Sequence, residues 1–592
     1  MLQQSTAGEP AETRPEAAGP PPHPLVRATE RWPRLCLILL CLALWLPGFF
    51  TLPPGDRDES RFAQATRQMV ETGDYVRIRF GEVERNKKPA GIHWAQAASV
   101  HAVEALGLGT RNDIWPYRVP SLLGALLAVL ATHHFGRGLV GRRAAFLGAA
   151  LLASCLVLVV ETHIAKTDAA LLASITVAMG LFGQAYLRPA GFTARQAAGF
   201  WLVLGLGVLL KGPVAPAVPL LAGITLAVAD RGAPWLRALR PGWGVPLMLL
   251  AAAPWFVAIG IATEGRFFAE AVGGDMLAKV GSGEESHWGP PGYYLLTFGI
   301  AAFPAGWIVL RALPAAWHAR AWPATRFLLA WIVPVWLMFE AVATKLPHYT
   351  LPTFPALMLL AGAWAMDPLR ERPPRWLAWL ASAGFVAIAV SLALLAAGLP
   401  YALTRGVEVE PVALLALPAA GLLLWGAFAA RRGEDWAGGA AGRSRWGRAG
   451  LAAAVLAVPL YAVVLEGTLP RLQPIWIAPR VAAALRALPG GAPAPGEFGI
   501  VGFHEPSLVF AVGTRTRLLR DGAAAAHFLA EEGGADGVRR RVVAVADRDE
   551  AAFRGAAAAL GFEPVELGSV VGVNPTRGRW LALTLYRAAS GG

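Results

Sequence analysis

Charge is what this 592-residue chain has little of. Asp, Glu, Lys and Arg make up 16% of it, against 55% hydrophobic residues. A soluble domain carries about 25% charge, so a water-facing surface over a chain of this length is excluded. The same hydrophobicity excludes disorder except locally. Cysteine is nearly absent as well. The three present, Cys36, Cys41 and Cys155, lie in apolar runs, which excludes a disulfide framework and a cysteine metal site. Lysine is scarce in a basic protein: six residues against 47 Arg, the 53 basic residues minus six.

In place of charge there are apolar runs of helix-spanning length, about 20 residues each. Thirteen can be placed between residues 33 and 466, the first near 33–53 and the last near 449–466. Residues 1–32, rich in Pro, Ala and Glu without an apolar period, read as a disordered cytoplasmic tail and not as a signal peptide. Arginine accumulates in alternate loops, for example Arg137, Arg142 and Arg143; Arg231, Arg237 and Arg240; Arg311, Arg320 and Arg326; Arg431 and Arg432. The positive-inside rule makes those loops cytoplasmic, with the N-terminus inside and residues 467–592 outside. The net charge of +13 is therefore topological, and nucleic acid is not an expected partner. Within 467–592, Phe498–Phe503 and Val542–Ala546 have strand character, 523–532 and 551–560 helical character, and Trp580–Tyr586 reads as a last strand. That pattern predicts a small α/β domain, with His504 and Glu505 in a surface turn. The chain reads as mainly α, a polytopic membrane protein with about thirteen spans.

All six lysines, Lys87, Lys88, Lys166, Lys211, Lys279 and Lys345, fall in the other, outer loops, against the topological rule. An ammonium is a compact phosphate-binding charge, so these lysines point to an anionic ligand at the outer face. The outer loop 54–115 opens with Asp56, Asp58, Glu59 and Arg61 and continues into Phe62, Ala65 and Met69, one apolar helical face closed by Gly73. That spacing predicts an amphipathic helix on the membrane surface. Asp58 suits two roles there, the helix N-cap or a carboxylate that orients or deprotonates an acceptor. Further clusters are Arg85 to Pro89; Glu161, His163, Lys166 and Asp168; Lys211 to Pro213; Lys345 to Tyr349; and Lys279, Glu284, Glu285 and His287 in 264–290. Five clusters on one face imply a shared cavity. A secondary transporter is the rival reading from another class, but transporters show internal repeats and midplane sites, and neither pattern is evident.

Asp58-Glu59-Ser60-Arg61, Lys88-Pro89, Arg118-Val119-Pro120-Ser121, Lys211-Gly212-Pro213, Pro290 to Tyr294 and Lys345 to Pro355, in this order, resemble the bacterial branch of the protein mannosyltransferase-like glycosyltransferases. Within it they are most similar to the aminoarabinose transferases that modify lipid A. The resemblance covers roughly 33–360 and implies the C-type glycosyltransferase fold, with an undecaprenyl-phosphate sugar as donor. It implies an inverting transfer to lipid A or a related envelope glycolipid at the periplasmic face of the bacterial inner membrane; a protein O-glycosyltransferase of the same fold is the alternative. It also implies Asp58 and Asp168 as catalytic carboxylates and Arg61, Lys88 and Lys211 around the donor phosphate. Glu59, Lys345, His348 and Tyr349 would line the cavity. Where relatives often carry a Glu before the Lys-Pro pair, this chain has Arg85, Asn86 and Lys87, and the residues indicate no cofactor and no metal site. The absence of a Gly-rich nucleotide loop fits a lipid-linked donor.

Overall fold

The structure, a computed structural model, describes residues 24–55, 57–271, 273, 288–367, 371–404, 410–432, 445–531 and 540–589. Asp275, Lys279, Glu284, Glu285 and His287 of the outer loop 264–290 lie outside the described residues, as do Asp56 and residues 1–23. The tail expected to be disordered to residue 32 is helical from Pro24: α1 spans Pro24–Arg31. Its signals were present, a proline at the first helical position and an arginine in the last turn.

The bundle begins with α2 (Pro33–Trp45), and the outer loop holds α3 (Asp58–Thr72), the two-stranded β1 (Arg79–Phe80) and β2 (Val83–Glu84), and α4 (Gly91–Ala105). There follow α5 (Trp115–Val140), α6 (Arg142–Ser154), α7 (Leu156–Thr162), α8 (Asp168–Leu187), α9 (Ala194–Lys211), α10 (Val214–Ala229), α11 (Pro234–Leu239) and α12 (Pro241–Ala262). Among the described residues eight helices are long and apolar enough to cross a membrane, or nine if α6 and α7, bent by 61° at Cys155, form one span. The apolar run over 291–312 is divided into two helices, Tyr293–Ala301 and Gly306–His318, because Pro304 between them has no N–H for the helix ladder.

Small residues set the packing. A Cβ on Gly124 of α5 would lie 2.7 Å from the Cα of Ala170 in α8, and one on Gly148 of α6 would lie 2.8 Å from the carbonyl of Met358. Close backbone approach of this kind is how helices associate where lipid removes the hydrophobic drive. On α12, by contrast, Leu249, Leu250, Val257 and Ile261 are exposed, as a lipid-facing surface requires. One arginine of the inner set is not a surface charge. Arg311 is buried, donates to the carbonyls of Trp307 and Ala378 and to Ser382 Oγ, and lies over the rings of Trp307 and Trp446.

The C-terminal domain is a five-stranded mixed sheet in the order β4-β3-β5-β7-β6. Here β3 is Phe498–Val501, β4 Arg517–Leu518, β5 Val542–Ala546, β6 Pro564–Asn574 and β7 Arg579–Ala588. β3 runs parallel to β4 and β5, and β7 antiparallel to β5 and β6. β3 and β5 are buried at every position, which is why they read as continuous apolar runs. β6, whose burial alternates irregularly, was not visible in the sequence. Of the expected surface turn only His504 is exposed; Glu505 is buried and accepts from Asn574 Nδ2 at 2.9 Å.

α3 starts and stops where its sequence predicts, with Gly73 at φ +71° as the left-handed stop. Phe62, Ala65 and Met69 are buried, and so are Gln64, Thr66 and Gln68: Gln64 meets the C-terminal domain, Thr66 meets His93 and Gln96 of α4, and Gln68 bonds the backbone of Gly81. Gln64 donates to Thr514 Oγ1 at 2.7 Å and Arg67 to the carbonyl of Phe510 at 2.9 Å. Phe510, 2% exposed, packs with Ala63, Val100, Ile114, Tyr117 and Ala165. Replacing Phe510 by Ala should cost about 3–5 kcal/mol. We expect limited proteolysis to release the C-terminal domain from the Phe510→Ala protein at temperatures the parent survives; equal resistance in both would show that the docking does not depend on this ring.

Candidate functional site

Three turns and the start of α3 converge at one end of the bundle. The capping position of α3 is held by Arg57, at φ 60°, and no side chain caps the helix. Asp58, the first helical residue, is half-buried, so its carboxylate is not spent as an N-cap. Its charge contributes to holding Lys166 protonated. The next residue serves a different purpose. Glu59 is buried and takes a two-pronged contact from Arg118 of α5, Nε to Oε1 at 2.7 Å and Nη2 to Oε2 at 3.0 Å. The same carboxylate accepts from the backbone N–H of Gly55 at 2.7 Å and of Ala165 at 3.1 Å. Arg118 spends its remaining donors on the carbonyls of Phe49, Leu52 and Pro53. Glu59 is thus an anchor of the loop and not a cavity residue, contrary to the expectation.

The turn between α7 and α8 supplies the core of the site. Lys166 Nζ lies 2.9 Å from Glu161 Oε1 and 3.8 Å from Asp168 Oδ2, and Lys211 Nζ, at the end of α9, lies 2.5 Å from Asp168 Oδ1. The His348 ring sits between the two carboxylates, Nδ1 3.6 Å from Glu161 Oε1 and Nε2 3.7 Å from Asp168 Oδ2, with Lys166 Nζ 3.4 Å from Nδ1. Burial opposes the charge of Lys166, yet Glu161 and Asp168 outweigh it and raise the lysine above its ordinary value. Burial holds His348 well below the usual histidine range despite Asp168, and Lys166, Lys211 and Lys88 act in the same sense as burial. His348 is therefore a neutral imidazole among the acids Glu161 and Asp168 and two lysines. Burial raises Glu161 to about 7 despite Lys166. Burial opposes the charge of Asp168 as well, but Lys211, His348 and Lys166 outweigh it and hold Asp168 well below the usual carboxylate range.

A cavity of about 300 Å³ opens beside this cluster. Lys88, Asp168, Lys211 and His348 line it with charged and polar groups, and Phe256, Phe267, Phe268, Phe339, Tyr349 and Leu351 with apolar and aromatic ones. Of these, Phe256 belongs to α12, the helix with the exposed aliphatic face. Lys211 Nζ stands 5.2 Å from the Tyr349 ring centre, and Lys88 Nζ 5.3 Å from that of Phe62, which stacks on His93. Burial pushes His93 down to about 3; it pairs with Thr66, which also donates to Gln96, and so belongs to the packing of α3 on α4.

The structure brings Lys88, Asp168, Lys211, His348 and Tyr349 to one cavity, with Glu161 and Lys166 behind it. Arg61, half-buried on the first turn of α3, is outside its lining. Lys345 is outside it too: its Nζ donates to the carbonyls of Phe339 and Glu340 at 3.0 and 2.6 Å. It closes the C-terminal end of helix Pro323–Ala341, where free carbonyls attract a cation. Arg118, a part of the motif pattern, had no assigned role in the sequence. Its signal was an arginine at the first turn of an apolar span, which has to find a buried partner. Among the described residues no group of three or more His, Cys, Asp or Glu is placed to hold a metal ion; the carboxylates here are engaged by ammonium groups.

Residues 104–266 match the sequence profile of the dolichyl-phosphate-mannose-protein mannosyltransferase family. The chain is 31% identical over 369 residues to an undecaprenyl phosphate-alpha-4-amino-4-deoxy-L-arabinose arabinosyl transferase of Aeromonas salmonicida, covering 60% of this chain and 65% of that one. A transferase of the same name from Pseudomonas paraeruginosa is 28% identical over 403 residues, covering 66% and 67%. The chain thus spans about 65% of the length of the first of these relatives. Crystal structures of ArnT from Cupriavidus metallidurans, in the apo state and bound to undecaprenyl phosphate, superpose with a TM-score of 0.71 at 20% identity, over 94% of this chain and 98% of theirs. The sequence likeness to the two relatives thus covers 60% and 66% of the chain, and the fold, matched over 94% of it, is the C-type glycosyltransferase fold with a small sheet domain at the C-terminus.

Proposed function

We propose that this chain is a polyprenyl-phosphate-dependent glycosyltransferase that moves a sugar, with inversion, from an undecaprenyl-phosphate donor to lipid A or a related envelope glycolipid. The observation that carries this reading is one cavity lined both by Lys88 and Lys211 and by a set of phenylalanines, of which Phe256 belongs to α12 with its exposed aliphatic face. A polyprenyl phosphate keeps its tail in the bilayer and its phosphate at the interface, and a cavity of this polarity fits that division. The two curated relatives carry the name of such a transferase. The arginine-rich loops favour a cytoplasmic N-terminus, a membrane domain over 33–466 and a periplasmic domain over 467–592 of an inner-membrane protein.

When the C–O bond to the sugar breaks, its electron pair stays on the phosphate oxygen, and Lys88 and Lys211 stabilise the charge that develops there. Arg61 would join them if the first turn of α3 faces the bound phosphate. Asp58 takes the proton of an acceptor hydroxyl on the opposite face of the sugar, or orients an acceptor that is already a phosphate. Asp168 fixes Lys211, and Tyr349 lies beneath its ammonium group.

Lys88→Ala should weaken binding of undecaprenyl phosphate by roughly 10–150-fold, the equivalent of about 1.5–3 kcal/mol for a charge-assisted contact. Lys211→Ala should do the same and also destabilise the fold, because it removes the closest partner of the buried Asp168 carboxylate. Binding to the purified full chain in detergent, with sugar transfer to lipid A followed by mass spectrometry, checks both. Unchanged lipid binding in both variants would assign these lysines to packing and remove the basis of the proposal.

A further inference from the structure

The mechanism above leaves His348 without a task, although it lines the cavity and is buried among charges. The groups that face it come from every neighbouring element: Glu161 of α7, Lys166 of the following turn, Asp168 of α8, Lys211 of α9, Lys88 before α4, and Tyr349 beside it. The carboxyl groups of Glu161 and Asp168 are paired with the ammonium groups of Lys166 and Lys211, and burial raises Glu161 to about 7 despite Lys166. Two features leave room for one more positive charge. Glu161 Oε2 is buried without a hydrogen-bond partner among the described residues, and His348 Nε2 faces Asp168 Oδ2 at 3.7 Å, while Nδ1 lies 3.4 Å from Lys166 Nζ and 3.6 Å from Glu161 Oε1.

Resting on the donor reading above, we propose that His348 takes up a proton from solvent as the donor phosphate becomes the leaving group, and that the resulting imidazolium keeps the site electrically balanced. The donor phosphodiester carries a single negative charge, which one of the lysines lining the cavity offsets. Cleavage of the sugar–phosphate bond leaves the electron pair on oxygen and turns the group into a monoester, whose second ionisation lies near pH 6. The acceptor's proton goes to Asp58, so the extra negative charge on the phosphate needs a new cation. Lys211 turning from Asp168 to the phosphate frees Asp168 Oδ1, and Asp168 together with the open oxygen of Glu161 then holds the imidazolium. His348 is the lining group that can become a cation; Glu161, which burial raises to about 7, is the competing proton acceptor behind it, and comparison with His348→Gln separates the two.

Binding of the product, undecaprenyl phosphate, isolates this step from chemistry. Calorimetric titration of the full chain in two buffers of different ionisation enthalpy counts the protons exchanged. Wild type should take up about one proton more per lipid bound than His348→Gln, by linkage between the two equilibria. Equal counts would overturn the inference. A second measurement does not depend on the variant folding. If binding takes up a proton, wild-type affinity falls as pH rises from the free-state to the bound-state pKa of His348, by up to about tenfold per pH unit. Titration of the phosphate alone has the opposite sign, since the dianion binds lysines more tightly. Since burial holds free-state His348 well below the ordinary histidine value, the fall begins below about pH 6.5, and affinity that rises or stays level from about pH 5 upward would overturn the role of His348. Failure of wild type to bind the lipid at any pH would instead overturn the donor reading, and the inference with it.

Discussion

Asp58→Asn should fold normally and transfer sugar about 10²–10⁴-fold more slowly, the range for loss of a general base. The alternative role for this carboxylate was the helix cap, and the structure gives that position to Arg57 with no side-chain cap present. Stability should therefore change little, by tenths of a kcal/mol for a half-exposed position without a specific contact. Asp168, the other candidate carboxylate, is not an equivalent base. It is buried, 2.5 Å from Lys211 Nζ and 3.8 Å from Lys166 Nζ, and a proton on it would have to displace both ammonium groups. Its replacement should weaken donor binding through Lys211. Turnover of Asp58→Asn in detergent, measured beside its melting temperature, decides the matter. Near wild-type transfer by a folded variant would leave this chain's chemistry to orientation alone.

Much of the site was legible because its residues break a rule that the rest of the chain obeys. Lysines on the arginine-poor side have no topological reason to be there, and Lys88, Lys166 and Lys211 do converge. Acids and bases two to five residues apart in a turn between spans, as in Glu161, Lys166 and Asp168, are close in space whatever the rest of the fold does. Residue type alone failed where the partner is distant in sequence or made of backbone. Lys345 has the same signal as Lys211, yet it bonds carbonyls five and six residues before it. Glu59 is paired 59 residues away. The period of α3 gave its limits and its apolar face correctly, but a period cannot say whether the polar face meets water or a second domain. Phe510, which decides that question, lies more than 400 residues on, in a segment whose helix is only Pro506–Val512.

Arg118→Met should be the most damaging single substitution to the fold. Both members of the Glu59–Arg118 pair are buried, with side chains 5% and 1% exposed, so neither can turn to water when the other is lost. Removing one partner of such a pair costs about 3–5 kcal/mol, because a charge is left buried without its counterion. The carboxylate would keep the N–H groups of Gly55 and Ala165, while the carbonyls of Phe49, Leu52 and Pro53 would lose their donor. Glu59→Gln should also be strongly destabilising, since Arg118 then keeps its charge among carbonyls only. The pair, and not either residue, is the unit. The double variant Glu59→Gln with Arg118→Met removes both charges and should recover part of the loss, the remainder being the three unsatisfied carbonyls. Chemical denaturation of the four proteins of this cycle gives the coupling energy directly. Strict additivity would mean that water reaches the pair, and the link it makes between the start of α3 and the turn carrying Lys166 would then contribute nothing to holding Asp58 in place.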